Sequence, residues 1–333
     1  MTKAIRIHAN GDPDVLRWED IDLPAPAAGE ARIRHSAIGV NYSDINVRRG
    51  GFYIAQPLQF PVILGNEAAG VVASVGPGVT EVKPGDRVVY AGMSAAFYEK
   101  TGSYAQERKV PADRLIRIPD GVSDPYAASM MVKGFTASAI INRIFRPKSG
   151  DTILIHAAAS GVGLILAQWA KHLGAAVIGT VGSPDKARVA RAHGCDPTIL
   201  YRDTDFVAAV KTFVPEGVSA VFDGVGKDTF VASLDCVRPF GMLVNYGNAS
   251  GHVPPIDLLL LAKKGSLSVC RPALSSHIGD VASMRKAAAE LFDLVERGIV
   301  KIEISRTYPL HEAAAAHRDV EARRYAGSIV LVP

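Results

Sequence analysis

Residues Thr152–Asp185, TILIHAAASGVGLILAQWAKHLGAAVIGTVGSPD, restrict the fold of this chain more than any other stretch. A short apolar run, Ile153-Leu154-Ile155, suits a strand buried on both faces. Small residues from Ala157 to Gly163 follow, and Leu164 to Leu173 has a helical spacing that Gly174 stops. A second apolar run, Ala176 to Thr180, supplies the next strand. Together they make a β-α-β unit of the size a dinucleotide fold needs.

The turn departs from the G-x-G-x-x-G pattern. Its three positions hold Ala158, Ser160 and Gly163, with an additional Gly161 between them. The physical requirement is small residues, which let backbone N–H groups approach a pyrophosphate lying on the helix N-terminus. Such a turn by itself is equally a device for tight packing; the strand–turn–helix–strand context is what points it to a cofactor. An NAD site places Asp or Glu about 20 residues past the first glycine, on the ribose 2′-hydroxyl. Here Thr180-Val181-Gly182-Ser183 occupies that place, and no acid comes before Asp185. Lys186 and Arg188 follow, and Tyr201-Arg202 stands after the third strand. Small residues beside cations predict a 2′-phosphate, and so NADPH. The alternatives are a solvated helix face for Lys186 and Arg188, and Asp185 as a displaced ribose ligand.

At 333 residues the chain is expected to form two domains. With 48% apolar residues, 21% charged and a net charge of +4, it has an ordinary globular balance. Basic residues come at most in pairs, so no basic stripe argues for nucleic acid. Cys195, Cys236 and Cys270 lack metal spacing and cannot all pair, which fits a reducing compartment. No apolar run approaches the roughly 18 residues of a membrane span, and the first residues lack a signal-peptide core. A cytoplasmic protein is the expectation.

Residues 1 to about 125 read as β-rich, with short alternating segments (Lys3–His8, Glu30–Ala37, Gly70–Val75, Asp86–Tyr90) separated by Gly and Pro turns. Pro125–Ile144 has helical spacing. Strands then alternate with helices through Thr198–Leu200, Ala220–Asp223, Gly241–Asn245 and Ser266–Cys270, matching a doubly wound parallel sheet. Val281–Arg297 reads as an amphipathic helix. The tail reads as strand, helix, strand and is expected to rejoin the first domain.

Several segments in order then carry a resemblance: Gly39-Val40-Asn41-Tyr42-Ser43-Asp44, Gly65-Asn66-Glu67-Ala68-Ala69-Gly70, Gly85-Asp86-Arg87-Val88, Lys133-Gly134-Phe135-Thr136-Ala137, His156 to Gly163, Phe222-Asp223-Gly224-Val225-Gly226 and Lys264-Gly265-Ser266-Leu267. Over its whole length the chain resembles the medium-chain dehydrogenase/reductase superfamily. It is most similar there to the zinc-free NADPH:quinone oxidoreductases, the zeta-crystallin-like group. The resemblance implies a Rossmann domain at 126–270 and a discontinuous GroES-like catalytic domain at 1–125 and 271–333. Zinc-dependent members have Cys where Asn41 stands and His where Asn66 stands, and only Glu67 survives here. One carboxylate is not the three-ligand set a catalytic zinc needs, so no metal is expected.

The resemblance also implies the contacts. Asn41 and Thr136 would lie near the nicotinamide, and Ser160, Gly161 and Val162 at the pyrophosphate. Gly182, Ser183, Lys186 and Tyr201 would surround the adenosine ribose and its phosphate, with Arg323 from the tail reaching that phosphate. Tyr246, Gly247, Asn248, Val269 and Arg271 would line the nicotinamide pocket; Tyr246 replaces a Phe common there. Tyr53, with one residue of register uncertainty against Phe52, is the candidate proton donor, and Tyr42 the second choice. The expected reaction is reduction of a quinone, with reduction of the double bond of an enal, enone or enoyl thioester as the alternative. A third possibility is an NADPH-binding protein with a structural or RNA-binding role. The resemblance further implies a homodimer through the last Rossmann strand.

Overall fold

The structure, a computed structural model, describes residues 2–51, 58–92 and 102–333. The chain divides into two compact units. The first comprises Met1–Phe135, Ile278–Glu296 and Ile304–Pro333; the second comprises Thr136–His277 and Arg297–Glu303.

In the first unit the strands are β1 (Thr2–Ile7), β2 (Arg17–Ile21), β3 (Glu30–Gly39), β4 (Val62–Ile63), β5 (Glu67–Val75), β6 (Arg87–Ala91), β7 (Glu107–Pro111) and β8 (Ile116–Arg117). Strands β2-β1-β4 form a small antiparallel sheet. Around β3 a larger sheet is built: β5 lies along one side, and β7 pairs with Glu30–Arg34. Alternation in β3 explains its place, because Ala31, Ile33, His35 and Ala37 are buried while Arg34 and Ser36 face out. Ile5, Leu64, Val88, Tyr90 and Tyr104 pack in the same core.

The six strands expected of the second unit are all present: β9 (Thr152–Ile155), β10 (Ala176–Val181), β11 (Thr198–Leu200), β12 (Val218–Asp223), β13 (Val237–Asn245) and β14 (Ser268–Cys270). All pairings are parallel, in the order β11-β10-β9-β12-β13-β14. This is the doubly wound arrangement whose ligand crevice lies at the carboxyl end of the first strand, where the winding reverses. Continuous apolar runs such as Ile153–Ile155 are buried, as strands covered on both faces must be.

The tail rejoins the first unit. Strand β15 (Ile304–Pro309) pairs in parallel with β16 (Ser328–Val332), and β16 pairs antiparallel with the end of β3, Val330 against Gly39. Two long helices belong to this organisation, Asp124–Ala139 and Val281–Glu296. A side chain at Gly134 would collide with Leu291, so the absence of a Cβ there lets these helices approach closely.

Candidate functional site

The turn after β9 is shaped for close backbone approach. Ala157 holds the left-handed conformation (φ 52), which costs an L-residue about 1–2 kcal/mol and is typically kept at functional turns. Ser160 caps the helix Gly161–His172, its hydroxyl accepting from the Gly163 N–H at 3.1 Å. The N–H groups of Gly161 and Val162, in the first helical turn, have no intrahelical acceptor and carry the positive end of the helix dipole. A Cβ on Gly163 would lie 2.6 Å from the Ala157 carbonyl oxygen, so this position needs glycine to seat the helix on the strand. Sequence reasoning placed Ser160, Gly161 and Val162 here, and the structure puts them at one turn.

At the end of β10, Gly182 and Ser183 lead into the helix Pro184–Ala192, which Ser183 caps by accepting from the Lys186 N–H at 3.4 Å. A Cβ on Gly182 would stand 2.8 Å from the Tyr201 hydroxyl and 3.5 Å from Arg202 Nε. Gly182, Tyr201 and Arg202 therefore share one spot, beside the first turn that carries Lys186. The Asp185 side chain, in the same turn, is 91% exposed and pairs with Arg188 at 3.4 Å. The region is small, cationic and rich in hydroxyl and N–H donors, which fits a phosphomonoester.

The loop after β13 is braced by two residues that spacing did not single out. Asp223, fully buried, accepts from the N–H groups of Val225 (2.8 Å) and Gly226 (3.2 Å) and from the Thr229 hydroxyl (2.9 Å). Asn245 donates to the Asp223 carboxylate at 3.3 Å. Arg271 then donates to Asn245 Oδ1 (2.6 Å) and to the carbonyls of Asn245 (3.1 Å) and Gly247 (2.9 Å). Gly247 sits against Gly224, where any side chain would collide with the Gly224 carbonyl. The Tyr246 hydroxyl is buried beside Ser160, and burial and the Asp223 charge push its ionisation up. The structure thus brings Tyr246, Gly247 and Arg271 together beside the turn after β9. Asn248 follows in the same loop, and Val269 lies on β14, half exposed.

In the first unit, Asn41 ends β3's excursion and precedes the helix Tyr42–Arg48. Asp44 reaches back to the Asn41 N–H at 2.9 Å, the reciprocal half of a capping box. Asn41's carboxamide is held from both ends: Nδ2 donates to Glu67 Oε1 at 2.9 Å, and Oδ1 accepts from Lys133 Nζ at 3.0 Å. Lys133 also donates to Glu67 Oε1 at 2.9 Å, and the Val132 N–H donates to Oε2 at 2.7 Å. Glu67 is fully buried and the Lys133 side chain only 9% exposed. Beside them, Asn66 Nδ2 donates to the Ser43 hydroxyl at 3.2 Å, while its Oδ1 is buried with no hydrogen-bond partner among the described residues.

Behind Asp44 a second buried chain runs outward. The Tyr104 hydroxyl lies 3.2 Å from Asp44 Oδ2 and 2.9 Å from His317 Nε2. Burial, with the Glu67 charge adding to it, holds the Asp44 carboxyl up at about 7. Burial and the Arg48 charge press His317 down to about 3. Arg48, wholly buried, pairs with Glu321.

The remaining predicted residues are placed as follows. Tyr53 and Phe52 lie outside the described residues. Tyr42 opens its helix half-buried, and Thr136 stands on the helix Asp124–Ala139, one turn after Lys133. Arg323 is exposed in the first unit at φ 53, just after the helix Ala313–Glu321. Cys270 is half-buried, because β14 is a sheet edge; Cys195 and Cys236 are buried, and burial lifts both thiols to about 12. No group of three or more His, Cys, Asp or Glu suited to a metal occurs among the described residues. Nor is any helix among them long and apolar enough to cross a membrane.

Comparison with known proteins gives a consistent result. Residues 161–293 match the family model described as zinc-binding dehydrogenase, and residues 27–120 the alcohol dehydrogenase GroES-like domain. A quinone oxidoreductase of Pseudomonas aeruginosa is 44% identical over 334 residues, covering 100% of both chains. A 2-haloacrylate reductase of a Burkholderia species is 42% identical, covering 100% of this chain and 99% of that protein. The solved structure of Escherichia coli quinone oxidoreductase complexed with NADPH superposes with a TM-score of 0.93 at 39% identity, covering 99% of this chain and 100% of that one. The two family domains and the full-length identity agree with the two folds described above: the chain belongs to the quinone oxidoreductase family of the medium-chain dehydrogenase/reductase superfamily.

Proposed function

We propose that this protein is an NADPH-dependent reductase of quinones that works without a metal. The observation that carries the reading is the end of β10, where Gly182 lets Tyr201 and Arg202 approach beside the turn of Lys186 and where Thr180-Val181-Gly182-Ser183 holds no acid at the place an NAD site puts one. The NADPH complex of the Escherichia coli relative supports it. A bound nicotinamide would supply the hydride. The protein supplies orientation and hydrogen-bond donors for the carbonyl oxygen, with Asn41 and Thr136 as the groups assigned to that side and Tyr53 as the proposed proton donor. Ser160, Gly161 and Val162 would hold the pyrophosphate, Ser183 and Arg323 would assist at the phosphate, and Tyr246, Gly247, Asn248, Val269 and Arg271 would shape the nicotinamide pocket.

The test is NADPH oxidation followed at 1,4- and 9,10-quinones, with and without prior dialysis against a chelator. Turnover is expected with NADPH well above NADH, and unchanged by the chelator. Lys186→Glu together with Arg202→Glu should raise KM for NADPH at least about tenfold, the loss of one or two charge-assisted contacts of about 1.5–3 kcal/mol each, while leaving KM for NADH little changed. A clear preference for NADH, or activity lost on chelation, overturns the reading.

One relative favours a second substrate class. The 2-haloacrylate reductase is named for an acceptor with a conjugated double bond. A parallel panel of 2-alkenals and 2-haloacrylates separates the two: turnover confined to these would replace quinones as the acceptor.

The chain would act as a homodimer in this reading. Strand β14 is an open sheet edge that carries Val269 (37% exposed), and Phe240 (84%), Leu258 (74%) and Leu259 (62%) lie on the segments around it. An apolar, unpaired edge of this kind is satisfied by its own copy across a two-fold axis.

A further inference from the structure

We propose that Lys133 and Glu67 are the positioning residues of the reduction, a buried ion pair that fixes the direction of the Asn41 carboxamide. The proposal rests on the reading of Asn41 as a substrate- or cofactor-facing group. A carboxamide carries two N–H donors and an oxygen with two lone pairs. In Asn41 one N–H goes to Glu67 Oε1 and one lone pair receives the Lys133 ammonium, at 2.9 and 3.0 Å. With Lys133 donating at the oxygen and Glu67 accepting at the nitrogen, the amide can adopt only one of its two flips. The other flip would set an N–H against an ammonium and an oxygen against a carboxylate. The capping bond from the Asp44 N–H takes the second lone pair and works in the same sense as the ion pair, so one N–H is left and faces a fixed direction.

The pair is itself immobilised. Glu67 begins β5, and its second oxygen is taken by the Val132 N–H at 2.7 Å. Lys133 is one residue further along that helix, so strand, helix and carboxylate form a closed ring of contacts. A side chain at Gly39 would collide with Glu67 and with the Ala128 carbonyl, so this glycine admits the carboxylate beneath the helix. The pair also places a positive charge in contact with Asn41 in an interior otherwise lacking bulk solvent, where the field along the amide is strong.

The experiment compares Lys133→Met in the wild-type and Asn41→Ala backgrounds, with kcat, KM and the Kd for NADPH measured for each. If the amide is mispositioned without its clamp, kcat falls by about 10- to 100-fold in the wild-type background, as small misplacements of a catalytic group do. The Kd for NADPH should stay within about twofold. In the Asn41→Ala background the same substitution should cost little more, because residues acting as one unit are not additive. An equal loss in both backgrounds would show a merely structural pair and overturn the proposal. Should Lys133→Met fail to fold, Lys133→Met with Glu67→Gln leaves no unpaired charge and takes its place. A readout independent of turnover is the Asn41 side-chain amide resonance, identified by its loss in Asn41→Asp; it should shift and broaden in the clamp variants of the protein without cofactor, and an unchanged signal overturns the proposal. An Asn41→Ala enzyme with full kcat would overturn it too, whereas quinone-dependent NADPH oxidation by the wild type decides the underlying function separately.

Discussion

Three buried ionisable residues of the first unit give the protein a definite pH response. His35 donates from Nδ1 to the Ala105 carbonyl at 2.7 Å and accepts the Tyr90 hydroxyl at Nε2, 2.9 Å, so it is held neutral. Burial lowers it to about 4, and His317 to about 3. A group whose folded value is depressed contributes stability that is present above its ordinary value and lost as pH falls through the folded one. Both histidines therefore weaken the fold as pH drops from about 6.5 to 4. Asp44, raised from 3.8 to about 7, acts in the opposite sense: its contribution is full below 3.8 and lost as pH rises to about 7. Melting temperatures of Asp44→Asn and wild type should accordingly diverge in the variant's favour from pH 4 to 7 and run parallel above. Parallel curves throughout would mean Asp44 is ordinary in the folded state. None of this was legible in the chain's order of residues. The partners of Asn41, Asp44 and Tyr104 lie 26, 60, 92 and 213 positions away, and no spacing rule joins them. Lys133 entered only as part of the segment Lys133-Gly134-Phe135-Thr136-Ala137, with no role of its own.

At the scale of elements, the second unit was readable because strands such as β9, β10 and β12 carry buried apolar runs, and the helices after β9, β10 and β11 are capped by Ser160, Ser183 and Asp205. The turn at Ala157–Gly163 was recognisable despite two replaced glycines, since the size of the residues, not their identity, is what the geometry needs. Ser160→Ala should destabilise the unit by about 1 kcal/mol through loss of the N-cap. Gly163→Val should do more, because its Cβ would meet the Ala157 and Ala158 carbonyl oxygens at 2.6 and 2.8 Å. Urea denaturation ranks the two; the reverse order would mean that the helix is not seated on its strand as described. In the first unit β1, β3, β5 and β6 were legible, but β2, β4, β7, β8 and the helix Tyr42–Arg48 were not, lacking a clear alternation or a full helical period of pattern.

For the whole molecule, the open edge of β14 sets the expected assembly. Phe240→Asp with Val269→Lys should convert a dimer to monomers in sedimentation velocity, with the far-ultraviolet circular dichroism unchanged. A wild type that sediments as a monomer removes this expectation. Strand β16 has a different consequence. Its Leu331 and Val330 are buried, and it lies against a strand nearly three hundred positions earlier in the chain. On the ribosome, the six-stranded sheet of residues 152–270 has all its strands in hand while β3 still waits for its neighbour. The nucleotide-binding half can thus take shape during synthesis, and the other half closes only when translation is almost over, so β3's end stays unpaired on its β16 side until then.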